Sequence, residues 1–114
     1  MCWLDKSSIK QMLKIRDKYN INTFVETGAF RGVNIRFHSF HWKNVLSCDI
    51  SDEYLAIARN YNKDRNNVII EKKSSADFIK EFIKKYKEDE RFVLNNGELL
   101  ILGISISYIL LAII

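Results

Sequence analysis

The chain has 114 residues, of which 47% are hydrophobic, with four glycines and no proline. This composition supports one packed domain and excludes a disordered chain, a collagen-like repeat and a turn-rich all-β fold. The net charge of +4 comes from dispersed basic residues mixed with acids, so no specific nucleic-acid surface is predicted. Cys2 and Cys48 form no disulfide or metal pattern and no signal peptide is visible at the start, so we expect a cytoplasmic protein.

Helical and strand patterns alternate along the chain. A helical pattern ends near Asn20, a strand is predicted over 22–26, and Val33, Phe37 and Phe40 then lie on one face of a second helix. Further strands are predicted over 45–49, 68–71 and 91–95, with a helix after each of the first two of these. Such alternation predicts a three-layer α/β/α fold with a mostly parallel sheet and helices on both faces.

The loop at 26–32, Glu-Thr-Gly-Ala-Phe-Arg-Gly, lies between a strand and a helix, where α/β sheets bind nucleotides. Gly28 would let the chain turn sharply and let a ligand approach the backbone. Gly32 would start a helix whose free N–H groups favour a carboxylate or a phosphate. Asp49 closes the next strand, where an acid accepts hydrogen bonds from the ribose hydroxyls of an adenosine-containing ligand.

Two glycine patterns compete for this loop. A nicotinamide dinucleotide site expects G-x-G-x-x-G, which requires glycine at the position of Phe30. Glu26, two residues before the first glycine, suits instead a ligand with an amino-acid moiety, because its carboxylate can organise the loop around an ammonium group.

The segments 24–32, 45–51 and 68–70 together resemble the first three strands of the Rossmann-like class I S-adenosylmethionine-dependent methyltransferases, closest to small bacterial and phage-type members with an E-T-G-x-x-x-G loop. The resemblance covers roughly residues 20–90 and implies S-adenosylmethionine as cofactor. It implies these cofactor-binding residues: Glu26, Thr27, Gly28, Gly32 and, for the ribose, Asp49.

The chain departs from the family after its third strand. Members often carry an acid there that binds the adenine amino group, but Lys73 stands at about that position and cannot accept a hydrogen bond. Ser74 and Ser75 are the predicted substitutes. The family's later strands have no counterpart in the sequence, so we expect a half-domain truncated after about four strands.

Several residues also have simpler interpretations. The two loop glycines and the acid of the second strand fit a bare turn, a helix start and a helix cap. His38 and His41 are expected at the surface, because two ligands do not make a metal site, and no metal is predicted. Cys48 is expected to be a buried, inert strand residue. Phe78, Phe82 and Tyr86 form a helical stripe typical of a core.

Residues 99–114 carry no charge, which separates an apolar tail over 98–114 from the half-domain over 1–97. As a helix, 16 residues reach about 24 Å, short of the roughly 30 Å of a hydrocarbon core, so a membrane segment fits poorly. Ser105 and Ser107 alternate with apolar residues and could form a buried strand. A reading-frame change or truncation is the alternative that we favour, because the resemblance stops where the tail begins.

We therefore expect an S-adenosylmethionine-binding, incomplete methyltransferase with no assignable catalytic residue. The alternatives are a non-catalytic remnant, a Rossmann-like module tethered to a membrane through its tail, and a fragment of an NAD-dependent oxidoreductase, which Phe30 disfavours. The methyl acceptor and the oligomeric state are not predicted.

Overall fold

The computed structural model describes residues 6–85, 92–95, 99–105 and 108–113, with side chains over 9–85. The helices are α1 (Lys6–Tyr19), α2 (Val33–Ser39), α3 (Asp52–Tyr61) and α4 (Ser75–Lys85). The strands are β1 (Thr23–Thr27), β2 (Asn44–Asp49), β3 (Val68–Lys72), β4 (Phe92–Asn95), β5 (Leu99–Ser105) and β6 (Tyr108–Ile113). The predicted α/β class is confirmed, and the bounds of the first four strands agree with the prediction to within one residue.

The strands form one sheet in the order β3-β2-β1-β4-β5-β6. The first four strands are parallel to one another, and β5 and β6 each pair antiparallel with the strand before them. The residues that connect β4 to β5 lie outside the described ranges. Within the described ranges no helix has both the length and the apolar character needed to span a bilayer. The division of the chain at residue 97 stays a prediction.

Helices cover the two faces of the sheet unequally. Helices α1, α2 and α3 pack on one face, around a core that includes Met12, Phe24, Ile35, Val45 and Leu55. Helix α4 packs on the other face, where its aromatic residues Phe78 and Phe82 meet Val25 and Cys48. Cys48 is fully buried as expected, and the predicted stripe is core as far as Phe82; Tyr86 lies outside the described residues.

Helix α2 turns a different face to the core than the sequence suggested. Val33 and Phe40 are exposed, whereas Ile35 and His38 are fully buried, so the expectation of a surface histidine is wrong for His38. The reason is a local partner for the ring, since the indole Nε1 of Trp42 donates a hydrogen bond to Nδ1 of His38 over 3.0 Å. With one nitrogen satisfied, the imidazole packs as an aromatic side chain.

The His38 ring lies stacked on Phe24 of the central strand, with 3.9 Å between the ring centroids. Burial lowers the pKa of His38 from its ordinary value of 6.5 to about 3, and the neighbouring His41 adds to this shift. The imidazole is therefore neutral in the folded protein near neutral pH.

Gly32 sets the distance between α2 and α3. A Cβ at this position would lie 2.6 Å from Nδ2 of Asn62 and 2.9 Å from Cα of Ala58. The Asn62 amide donates to the Gly32 carbonyl over 3.0 Å, which ties the end of α3 to the start of α2. Glycine is thus required here for close helix packing as well as for its φ of +80°.

The first prediction concerns the acid stability of the buried imidazole. In the unfolded chain His38 takes up a proton near pH 6.5, but in the folded protein only near pH 3, so the unfolded state binds more protons between these values. The contribution of His38 to stability is therefore complete above pH 6.5 and lost as the pH falls toward 3. We expect the stability advantage of the wild type over His38→Asn to shrink in this window, measured by urea unfolding at several pH values.

Subtracting the free energies of unfolding of the two proteins cancels the contributions of the other titrating groups, which both proteins share. His41→Asn is the matched control, since it removes the second histidine and should leave the decline that His38 causes. A stability gap between wild type and His38→Asn that is constant over the window would contradict the prediction.

The second prediction compares the two glycines of the loop. Both have a φ of +80°, so alanine at either position carries the same backbone strain, about 1–2 kcal/mol. A Cβ at Gly28 meets nothing within 4 Å, whereas at Gly32 it meets the backbone of α3. We therefore expect Gly32→Ala to lower the free energy of unfolding by about 1–3 kcal/mol more than Gly28→Ala does. Equal losses in thermal or urea unfolding would show that α2 and α3 are not in close contact at this point.

Candidate functional site

The carboxyl ends of β1 and β2 lie side by side and are tied together by backbone hydrogen bonds. The parallel register places Thr27, half-buried at the end of β1, opposite Cys48. Just beyond it, the N–H groups of Gly28 and Ala29 both donate to the Cys48 carbonyl, over 3.0 and 2.8 Å. The glycine loop therefore starts in contact with the end of the neighbouring strand.

Asp49 extends this contact to the middle of the loop. Its Oδ2 accepts a hydrogen bond from the N–H of Phe30 over 3.0 Å, and its Oδ1 accepts one from the N–H of Ser51 over 2.9 Å. A carboxylate offers about four lone-pair positions, so each oxygen keeps capacity for one more donor. The structure thus brings the acid at the end of β2 into contact with the loop that follows β1.

Phe30 is held in an uncommon backbone conformation at this contact. Its φ is +51°, in the left-handed region that side chains other than glycine rarely adopt. The hydrogen bond to Asp49 helps to hold this conformation, and the ring packs against Tyr54 with 4.6 Å between centroids. Phe30 and Ile50 remain 52% and 68% exposed, so the loop and the residue after Asp49 each present an apolar side chain to solvent.

The two glycines predicted to bind the cofactor occupy different surroundings. Gly28 faces open space, because a Cβ there would meet no atom within 4 Å. Gly32 is buried between α2 and α3 and precedes α2 as its N-cap. The structure therefore places Gly28 against the end of β2, whereas Gly32 faces the helix layer.

Glu26 is the most unusual side chain of the group. Glu26 is only 6% exposed, although it is the penultimate residue of β1 and directly precedes the start of the loop. Burial raises the pKa of Glu26 from 4.5 to about 7, while a hydrogen bond from the Asn34 amide to Oε1, at 2.8 Å, works in the opposite direction. Glu26 therefore exchanges a proton near neutral pH.

Ser74 and Ser75 lie where the chain leaves β3 and enters α4, next to the end of β2. The Lys73 N–H donates to the Asp49 carbonyl over 3.2 Å, which holds this turn against the acid-bearing strand. Ser74 caps α4, since its Oγ accepts from the Asp77 N–H over 3.2 Å. The exposed Ser75 contacts the Cys48 thiol through its hydroxyl. Both hydroxyls thus already have protein partners, and their role toward adenine stays a prediction.

Lys73 is neutralised by two acids. Its Nζ lies 2.7 Å from the Glu71 carboxylate and also pairs with Glu81, and these contacts raise the pKa of Lys73. Lys73, which stands at about the position where an acid was expected, therefore belongs to an ion-pair cluster with Glu71 and Glu81.

Asn34 is not among the site residues that the sequence predicted. This residue lies two positions after Gly32, on α2, and its amide contacts Glu26. The sequence signal for this residue is a polar side chain in the first turn of a helix that packs against the preceding strand. Of the described side chains, no three His, Cys, Asp or Glu residues are grouped in a way that could hold a metal ion.

No protein-family model matches the sequence, and no curated protein matches it. Solved structures match the fold. The YcgJ protein of Bacillus subtilis is 16% identical with a TM-score of 0.56, and the N-methyltransferase NodS of Bradyrhizobium japonicum is 10% identical with a TM-score of 0.52. An S-adenosylmethionine-dependent methyltransferase of Clostridium acetobutylicum is 11% identical with a TM-score of 0.51.

These matches cover most of this chain but less of the larger proteins. They cover 78%, 82% and 82% of this chain, in the same order, and 50%, 71% and 58% of the other chains. The chain thus spans about half the length of the first of these structures. At such low identity the likeness concerns the fold alone, and this chain shares the α/β fold of S-adenosylmethionine-dependent methyltransferases.

Proposed function

We propose that this chain binds S-adenosylmethionine at the carboxyl ends of β1 and β2 and forms the cofactor-binding part of a methyltransferase. The observation that carries the proposal is the hydrogen bond between the Phe30 N–H and Asp49 Oδ2, which joins the glycine loop to the acid of the next strand. The fold shared with methyltransferases supports the same function.

The residues at this edge fit the parts of the ligand. The two free acceptor positions of Asp49 suit the two ribose hydroxyls. The exposed side chains of Ile50 and Phe30 offer an apolar surface that a flat adenine ring would cover. The open face of Gly28 leaves room for the ligand beside the backbone, and the buried Glu26 carboxyl attracts its ammonium group. Ser74 and Ser75 would border the adenine edge, and Thr27 and Gly32 complete the proposed loop.

The cofactor itself supplies a methyl group on a positively charged sulfur, and transfer is helped mainly by positioning. The residues described above bind and orient; none of them is assigned a catalytic step. An acceptor-binding part outside this cofactor half would supply the groups that meet the acceptor, so we expect no methyl transfer by this chain alone. A nicotinamide dinucleotide suits the loop less well, because Phe30 with its ring stands where close approach of a pyrophosphate calls for glycine.

The third prediction tests the ribose contact by calorimetric titration. Asp49→Ala should weaken S-adenosylmethionine binding by about 1–3 kcal/mol, the scale of hydrogen bonds to a charged group. Asp52→Ala is the matched control, since this exposed acid three residues away pairs with Lys72 and should leave the affinity unchanged. Equal affinities of wild type and Asp49→Ala would place the ribose elsewhere, and binding of NAD but not of S-adenosylmethionine would overturn the proposed function.

The fourth prediction concerns the tail. Strand β5 pairs with β4 over four residue pairs, and β6 continues the sheet, so a chain ending at Asn96 would leave one edge of β4 unpaired. We expect this shortened chain to lose cooperative unfolding, followed by circular dichroism during urea titration. If the shortened chain unfolds cooperatively and moves from the membrane fraction to the soluble one, the tail is a membrane anchor and not part of the sheet.

A further inference from the structure

Glu26 is a buried carboxyl with no positive partner among the described side chains. Its exposure is 6%, and the basic residues that form ion pairs in the described part of the chain pair with other acids. The hydrogen bond that the structure gives its carboxyl comes from the neutral amide of Asn34. A buried carboxylate is costly unless a positive group or several donors compensate its charge. A ligand with a positive group could therefore provide the partner that Glu26 lacks.

Asn34 lacks a partner of its own. Its Nδ2 donates to Glu26 over 2.8 Å, but its Oδ1 is buried and accepts no hydrogen bond. The opposite orientation of the amide would turn its oxygen toward the carboxylate, so an ionised Glu26 requires the observed one. Buried acceptors are nearly always satisfied in folded proteins, and an exception calls for an explanation.

The two groups belong to the segments on either side of the glycine loop, and Asn34 lies on α2, two residues after Gly32. Glu26 lies two residues before Gly28, whose Cα faces space with no atom within 4 Å of a Cβ. A carboxyl that has no positive partner when ionised and a neutral oxygen acceptor therefore flank the glycine loop, one on the strand before it and one on the helix after it. The complementary group carries a positive charge and more than one N–H donor.

We propose that Asn34 binds the ammonium group of the ligand's amino-acid moiety through Oδ1, together with the carboxylate of Glu26. This inference rests on the proposed function and adds a residue that selects the ligand. An ammonium group has three donors, so it satisfies the Glu26 carboxylate and the Asn34 oxygen at once. The Asn34 amide has two tasks, since its nitrogen orients the carboxylate while its oxygen accepts from the ligand.

The test uses two ligands that differ in the amino-acid moiety and in the charge on sulfur, which is positive in S-adenosylmethionine alone. S-adenosylmethionine carries this moiety, whereas 5′-methylthioadenosine has the same adenosine and a thioether but no ammonium group. In calorimetric titrations of the full chain, Asn34→Ala should weaken S-adenosylmethionine binding by about ten- to a hundredfold, the range for a hydrogen bond to a charged group. It should change the affinity for 5′-methylthioadenosine less than about twofold on the same argument.

Two further variants keep the experiment decisive. Asn60→Ala removes an exposed asparagine from α3 and should alter neither affinity. Glu26→Gln keeps the size of the side chain but removes its charge, so it should reduce the preference for S-adenosylmethionine even if Asn34→Ala fails to fold. Circular dichroism of each variant checks that the fold is retained.

The outcomes separate this inference from the function on which it rests. If the wild type binds neither ligand, the proposed function is wrong. If the wild type binds both ligands equally, or if Asn34→Ala weakens both by the same factor, the adenosine site stands and the role of Asn34 is overturned. A selective loss of S-adenosylmethionine binding in Asn34→Ala and in Glu26→Gln supports the proposal.

Discussion

Strand β1 is hydrogen-bonded on both edges, to β2 and to β4, and its Phe24 and Val25 side chains are fully buried on opposite faces. This double burial determines what the following residues can do. Phe24 supports the layer of α1, α2 and α3, and Val25 supports α4. Glu26 comes next on the same strand and is buried because its neighbours are, so a carboxyl is held in surroundings that raise its pKa.

The loop that follows β1 is held in place by the end of the neighbouring strand β2. Gly28 and Ala29 bond to the Cys48 carbonyl and Phe30 bonds to the Asp49 carboxylate, so three successive N–H groups are anchored to the end of β2. Phe30 adopts a positive φ under this restraint. Such strain persists only where surrounding contacts impose it, and it is concentrated at functional sites. A ligand would thus meet a loop whose shape is already set.

Two residues that each have one buried polar atom without a partner illustrate why location decides function. His38 leaves Nε2 without a partner, but the ring stacks on Phe24 and is bonded to Trp42 in the aromatic part of the core. His38 therefore affects stability, because protonation of its ring would place a charge in the core. Asn34 leaves Oδ1 without a partner, and its amide nitrogen bonds to Glu26, two residues before Gly28. Only this second residue belongs to the segments around the glycine loop, where we propose that the ligand binds.

The sequence by itself determined the α/β class, the first four strands and the order of loop and acid, because periodicity and glycine spacing are local properties of the chain. It did not reveal the buried face of α2, where Trp42 makes His38 a core residue. Nor did it separate the tasks of Gly28 and Gly32, because the second glycine is required by a helix 26 residues further along, at Ala58. The contact of Asn34 with Glu26 likewise depends on how α2 returns to the strand before it. Tertiary packing decided these features, because each one depends on a contact between two segments of the chain. No local sequence pattern shows that those two segments meet.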